Sequence, residues 1–261
     1  MLEAHELTRR FGGVVAVDGV SMTVPDGLLA GVIGPNGAGK STLFHLIAGQ
    51  LRPQQGRVRF AGRDVTGLAP DQRARLGIGI AFQAVRLFRR MTVFENVAVG
   101  AHAWTHHGFW EAFFRLPRHR REERAISERA WWALERVGLV DAADSPAESL
   151  PIGLQRTVQI ARALSGRPRL LLLDEPASGL RTGERSRLVE VLRDLRREGL
   201  SMLLVEHDVA FVSQLAERVT VMDRGRVIAE GPPEEIRRDP AVVAAYLGRV
   251  GEEERDAAPG E

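Results

Sequence analysis

The chain has 261 residues, 44% apolar and 27% charged, which is enough for a full core with one large domain or a domain plus a subdomain. Its formal net charge is only +2, and the pI near 9.8 comes from arginine standing in for lysine rather than from a large cationic excess, so composition supports nucleic-acid binding weakly at best. The absence of cysteine excludes disulfides, iron–sulfur clusters and thiolate zinc sites; Met1 to Gly13 lacks a secretory signal core, and no run approaches the ~18 consecutive apolar residues of a spanning helix.

Residues 2–33 predict short strands with turns at Gly12-Gly13 and Pro25-Asp26-Gly27, ending in an apolar strand from Leu28 to Ile33. Next comes Gly34-Pro35-Asn36-Gly37-Ala38-Gly39-Lys40-Ser41, which fits the phosphate-loop pattern G-x-x-x-x-G-K-[ST]; Thr42 continues into a helix that Gly49 stops. Lys40 is the only lysine in the chain. Its ammonium is a point charge on a slim stem and fits between phosphate oxygens where a planar guanidinium is too wide. Backbone N–H groups of Gly37, Gly39 and Lys40 are expected to wrap the β-phosphate, with Lys40 reaching the β/γ oxygens and Ser41 ligating Mg²⁺.

A hairpin is expected from Arg57 to Phe60 and Asp64-Val65 around Ala61-Gly62, then a strand from Ile78 to Phe82 that ends at Gln83. An amide at that strand end is suited to contact Mg²⁺ or the attacking water. Residues 84–150 change character: all four tryptophans fall there, and Ile126, Ala130, Ala133, Leu134 and Val137 recur at helical spacing until Gly138. This reads as a helical subdomain, about 84–165, inserted into the α/β part. His102, His106 and His107 lie close together but lack further ligand types at metal spacing.

From Leu150 the α/β pattern resumes: a helix from Pro151 to Leu164, the strand Leu170 to Asp174, a helix from Glu184 to Arg197, a strand from Ser201 to Glu206 and a helix from Asp208. A hairpin turning at Arg224-Gly225 and two Pro-initiated helices follow; 249–261 reads as an acidic, disordered tail after a domain spanning 1–248. The apolar strand over 170–174 ends in Asp174-Glu175. Strand ends of α/β sheets are where ligands bind, so Asp174 is expected to hold Mg²⁺ and Glu175 to polarise water. By the same logic His207 faces the γ-phosphate and Asp208 caps the next helix.

These residues in this order resemble the ATPase subunits of ABC transporters, from Leu2 to about Gly248. The resemblance implies a P-loop NTPase fold of α/β class, with a mostly parallel core sheet, an antiparallel β subdomain and the helical insert. It implies ATP and Mg²⁺ as ligands, Phe11 stacking on adenine beside Val17, Gln83 as the glutamine loop, Asp174 as the magnesium aspartate, Glu175 as the catalytic glutamate and His207 as the switch histidine. Leu150, Pro151, Ile152, Gly153, Leu154 and Gln155 stand where the family has its signature, which meets the nucleotide of a second subunit. Gly153 is kept, but Pro151 replaces the usual Ser and Leu154 the usual Gln, so one γ-phosphate hydrogen bond is missing. Arg181 also stands where Asp or Asn is usual.

Within the family, the segments Arg10 to Val17 and Phe88 to Val97, the aromatic insert and the ending Ala245-Tyr246-Leu247-Gly248 are similar to ATPases of branched-chain or other hydrophobic amino acid uptake. ATPases of lipopolysaccharide export or urea and amide uptake, and soluble non-transport ABC ATPases, are the alternatives. The resemblance implies a second ATPase subunit (homo- or heterodimer), permease subunits, indirectly an extracytoplasmic solute-binding protein, no nucleic acid, and a peripheral place on the cytoplasmic face of the membrane.

Overall fold

The computed structural model describes residues 1–101 and 117–246, so the Trp104 region, the three clustered histidines and the acidic tail lie outside the described residues. The chain begins with two long antiparallel strands, β1 (Leu2–Phe11) and β2 (Val14–Val24), rather than several short ones. They turn at Gly12-Gly13 as expected. Register shifts between Ala4 and Arg10 let one continuous strand follow the twist of its neighbours. After β3 (Leu29–Ile33) and α1 (Lys40–Ala48) comes the expected hairpin, β4 (Gln55–Phe60) with β5 (Arg63–Asp64). The β1–β5 strands other than β3 form an antiparallel sheet in the order β2-β1-β4-β5.

The middle of the chain carries α2 (Pro70–Arg75), β6 (Ile78–Ala81), α3 (Val93–Ala101), α4 (Pro117–Val137), α5 (Ile152–Ser165), β7 (Leu170–Asp174) and α6 (Thr182–Arg197). Helix α2 has no apolar stripe, so periodicity does not reveal it; Pro70 starts it. Helix α6 begins two residues earlier than expected because Glu184 is not its first residue. Its carboxylate accepts from the Arg181 N–H at 2.9 Å, as the third residue of a capping box does. The last part holds β8 (Ser201–Val205), α7 (Val209–Ser213), β9 (Arg218–Asp223), β10 (Arg226–Gly231), α8 (Pro233–Ile236) and a helix over 240–246.

The chain divides into two compact units, one made of Met1–Ala69 with the chain from Ser201 onward, the other of Pro70–Leu200. In the first, β3 lies between β8 and β9 and is parallel to both, with β10 antiparallel at the outside of β9. Every residue of β3 and β8 is buried, which is why both read as unbroken apolar runs rather than alternating ones. In the second unit β6 and β7 pair in parallel, and the four leucines Leu170–Leu173 have no exposed surface. Each contributes roughly 2 kcal/mol by burial. Helices α3, α4 and α5 pack on one another. The stripe Ala130, Ala133, Leu134 and Val137 is the buried face of α4, as its spacing predicts.

Candidate functional site: a phosphate loop and paired strand ends

The first unit builds the loop that the glycine pattern predicts. Strand β3 ends at Ile33 and α1 starts at Lys40, so residues 34–39 are the strand-to-helix connection. Two glycines there are fixed by space as well as by dihedral. A Cβ on Gly34 (φ 154) would stand 2.1 Å from the Met222 carbonyl oxygen, and one on Gly39 (φ 100) would stand 2.2 Å from that of Ala16. The Gly225 N–H donates to the Ala38 carbonyl at 2.9 Å, tying the loop to the β9–β10 turn. Lys40 is 5% exposed, and its ammonium donates to the carbonyls of Gly34 (2.7 Å) and Pro35 (3.0 Å). Those two bonds fold the lysine over the loop instead of letting it extend into solvent. Asn36, Gly37 and Ser41 are exposed along it, and Thr42 is half-buried. Helix α1 carries no acidic residue in its first turn, so nothing there cancels the positive end of its dipole.

Val32 is in register with Val205 on the parallel neighbour, so Gly34 and His207 leave the sheet at the same edge. The His207 ring is half-exposed, with Nδ1 3.6 Å from the fully buried Glu206 carboxylate. Asp208 caps α7 as expected by accepting from the Phe211 N–H at 3.0 Å. At the far end of β1, Phe11 is 45% exposed with the Arg9 guanidinium 4.9 Å above its ring, whereas Val17 is completely buried.

The second unit repeats the strand-end geometry. Ala81 pairs with Leu173, so Gln83 and Glu175, each two residues further on, emerge together. The Gln83 amide nitrogen donates to the Glu175 carboxylate at 2.6 Å. Asp174, one residue earlier, is 5% exposed. Glu175 itself has φ 43, in the left-handed region that turns its carboxylate off the strand's alternation.

The signature-like segment opens α5. Pro151 is the residue before the helix rather than its first member, and its carbonyl accepts from the Gln155 N–H at 3.0 Å. Gln155 turns its side chain back, its amide donating to the carbonyl of Leu150 at 2.8 Å. Ile152 is half-exposed and Leu154 half-buried. A Cβ on Gly153 would lie 2.2 Å from the Glu184 carboxylate, so a larger residue there would have to push aside the side chain that caps the start of α6. Two relationships were not legible beforehand. Arg156 bonds the backbone after β7 from 19 residues away, and no local pattern marks such a contact. Asn96 is buried and ties down the Phe88–Thr92 loop through the carbonyls of Phe88 (3.1 Å) and Thr92 (3.0 Å). The Thr92-x-x-Glu95 capping box ahead of it is a readable helix start.

The second unit also holds an apolar cavity of about 350 Å³, lined among others by Ile80, Phe82, Val99 and Arg162. Burial pulls the Arg162 guanidinium below its ordinary pKa, and its Nη1 donates to the Arg86 carbonyl at 2.8 Å. Phe88, Met91 and Trp131 are exposed nearby in sequence or packing, Trp131 resting 5.0 Å from the ring of Phe94.

A glycine loop between a buried strand and a helix, a folded-over lysine, and a strand-end Asp-Glu with its glutamine define a nucleotide-binding P-loop protein. The chain belongs to the ABC transporter ATP-binding family, whose family model, described as ABC transporter, matches residues 17–178; a second, described as branched-chain amino acid ATP-binding cassette transporter, matches residues 226–252. It is 41% identical over 251 residues to the high-affinity branched-chain amino acid transport ATP-binding protein BraF of Pseudomonas aeruginosa, covering 96% of this chain and 98% of the other. It is 39% identical to LivG of Escherichia coli, of the same description and coverage. Among solved structures it is similar to the ADP conformation of the ATP-binding cassette MJ1267, with a TM-score of 0.83, 32% identity, and 95% and 98% of the two chains covered. A dimeric cassette, MJ0796 bound to ADP and Pi, aligns at a TM-score of 0.73 and 25% identity, covering 89% and 99%. The protein is thus an ATP-hydrolysing cassette of this family.

Proposed function

We propose that this chain is the ATP-binding subunit of an importer for branched-chain or other hydrophobic amino acids. The observation that carries the reading is the match over 226–252, because that stretch lies outside the motifs common to all ABC ATPases. The similarity to BraF and LivG over 96% of the chain supports it.

In this reading Phe11 receives the adenine, with Val17 as an apolar neighbour of the base, and residues Gly34 to Thr42 hold the phosphates. Asp174, Ser41 and Gln83 offer the oxygen donors Mg²⁺ prefers: one carboxylate, one hydroxyl and one amide, with phosphate oxygens completing the set. An Mg²⁺ ion held by these residues would supply positive charge against the phosphate oxygens. Lys40 places its ammonium on the same oxygens. Glu175 orients and polarises the attacking water, held in aim by Gln83, and His207 contacts the γ-phosphate. Residues 150–155 address the nucleotide of a second ATPase subunit. Closure of the pair follows from tighter binding of ATP to the closed form, and loss of the γ-phosphate reopens it.

The remaining partners are permease subunits, fed by an extracytoplasmic solute-binding protein. Phe88, Met91 and the Phe94–Trp131 pair on the insert, about 84–165, form the apolar face offered to them. No described helix is long and apolar enough to cross a membrane. The subunit is placed peripherally on the cytoplasmic face through the permeases, with the cassette at 1–248 and an acidic tail at 249–261. The test is ATP-dependent leucine uptake into vesicles carrying the assembled complex. Lys40→Ala should abolish it together with the MgATP-induced rise in melting temperature. Uptake of another solute class and not leucine would reject the substrate assignment, and an unchanged melting shift would reject the loop assignment.

A further inference from the structure

Glu175 is held at both ends. Its carboxylate accepts from Gln83 at 2.6 Å, and its own carbonyl accepts from Arg156 Nη1 at 2.8 Å, with the Pro176 carbonyl 3.4 Å from the same nitrogen. The backbone between these grips has φ 43, a conformation that an L side chain keeps only where the surroundings hold it. A guanidinium placed against two successive carbonyls provides such a hold through charge-assisted bonds.

Arg156 belongs to α5, and it does not act alone there. Gln159 donates through its amide to the Ala84 carbonyl at 3.0 Å, and Arg162 donates to that of Arg86 at 2.8 Å. Side chains at three-residue intervals along one helix therefore fasten the backbone on both flanks of the Gln83–Glu175 pair. The N-terminal turn of that helix is the segment Ile152-Gly153-Leu154.

We propose that Arg156 is a positioning residue for Glu175. It holds the glutamate in its left-handed conformation and fixes the glutamate's aim to the placement of α5. Displacement of the signature turn is then delivered to the base of the same subunit's reaction. The proposal rests on the assignment of Glu175 as the residue that polarises water, and the test separates the two.

The experiment is steady-state MgATP hydrolysis by the full chain, co-purified with its partner subunits, as wild type, Arg156→Ala, Arg156→Lys and Glu175→Gln. Arg156→Ala should lower kcat by about tenfold or more while KM stays within about threefold, since the loss falls on the transition state and not on binding. Arg156→Lys, which keeps one cation for one carbonyl, should recover part of that loss, and the nucleotide-induced melting shift should persist in both. A kcat within about twofold of wild type in Arg156→Ala, with Glu175→Gln inactive, overturns the proposal. So does a parallel loss of KM and melting shift that lysine fails to restore, which marks general damage to the fold. If Arg156→Ala does not fold, Arg156→Lys decides: reduced kcat at unchanged KM supports the role, and wild-type kcat overturns it. Full turnover in Glu175→Gln removes instead the assignment of Glu175.

Discussion

The Gln83 amide meets the Glu175 carboxylate at 2.6 Å, although 92 residues separate them in the chain. Parallel pairing of β6 with β7 creates the meeting, since it sends both strand ends out at one edge. A glutamine here donates to the glutamate without competing for its proton. Gln83→Ala should therefore lower kcat by about 10–100-fold, as loss of an aimed general base does, and weaken MgATP binding by the smaller amount that one lost magnesium donor accounts for. Hydrolysis rates with a parallel equilibrium measurement of ATP binding check it; weakened binding with unchanged kcat contradicts it.

The loop glycines should not be equal. Gly39→Ala places a methyl into the Ala16 carbonyl at a φ of 100, and a loss of about 2–3 kcal/mol is expected together with loss of the ATP-induced melting shift. Gly12 also has a positive φ, 55, but nothing stands within 4 Å of its would-be Cβ, so Gly12→Ala should cost about 1 kcal/mol or less. Urea midpoints of the two variants compare them directly.

Tyr246 reports on the loop by absorbance. It is the only tyrosine, and its phenol is pushed up to about 12, first by burial and then by the Asp208 charge, against an opposing contact with the Gly34 backbone. Because the folded state keeps a proton that the unfolded chain releases, this contribution is complete below about pH 10 and falls away as pH rises through 12. Tyrosinate absorbance should rise with a midpoint near 12 in the folded protein and near 10 in urea. Coincident midpoints would show that the ring is not packed there.

The signature segment lacks a hydroxyl at Pro151 and an amide at Leu154. Pro151→Ser with Leu154→Gln should raise the hydrolysis rate of the assembled transporter by about tenfold or more, since one recovered hydrogen bond to a charged oxygen is worth about 1.5–3 kcal/mol. An unchanged rate means the backbone N–H groups of α5 suffice.

The phosphate loop, the strand-end acids and the helical stripe of α4 were legible because each rests on local spacing: glycines before a lysine, an apolar run before Asp174, and Ala130, Ala133 and Val137 on one face. Short strands were expected where β1 and β2 run long, because the irregular alternation around Glu6 looks like a break and is a bulge inside a paired ladder. Helix α2 escaped notice because its six residues, Pro70–Arg75, carry no apolar period. The holds on Glu175 and on the 84–92 stretch escaped for another reason. Arg156, Gln159 and Asn96 act by touching carbonyls far along the chain, and an Arg, a Gln or an Asn looks the same in sequence whether it faces solvent or a backbone oxygen.

Confining lysine to one position has a practical result. Amine-selective acylating reagents meet a single lysine side chain in this sequence, the ammonium seated on the Gly34 and Pro35 carbonyls. Peptide mass analysis of a single tagged site then follows occupancy of the nucleotide cradle in the intact protein, with no engineered probe.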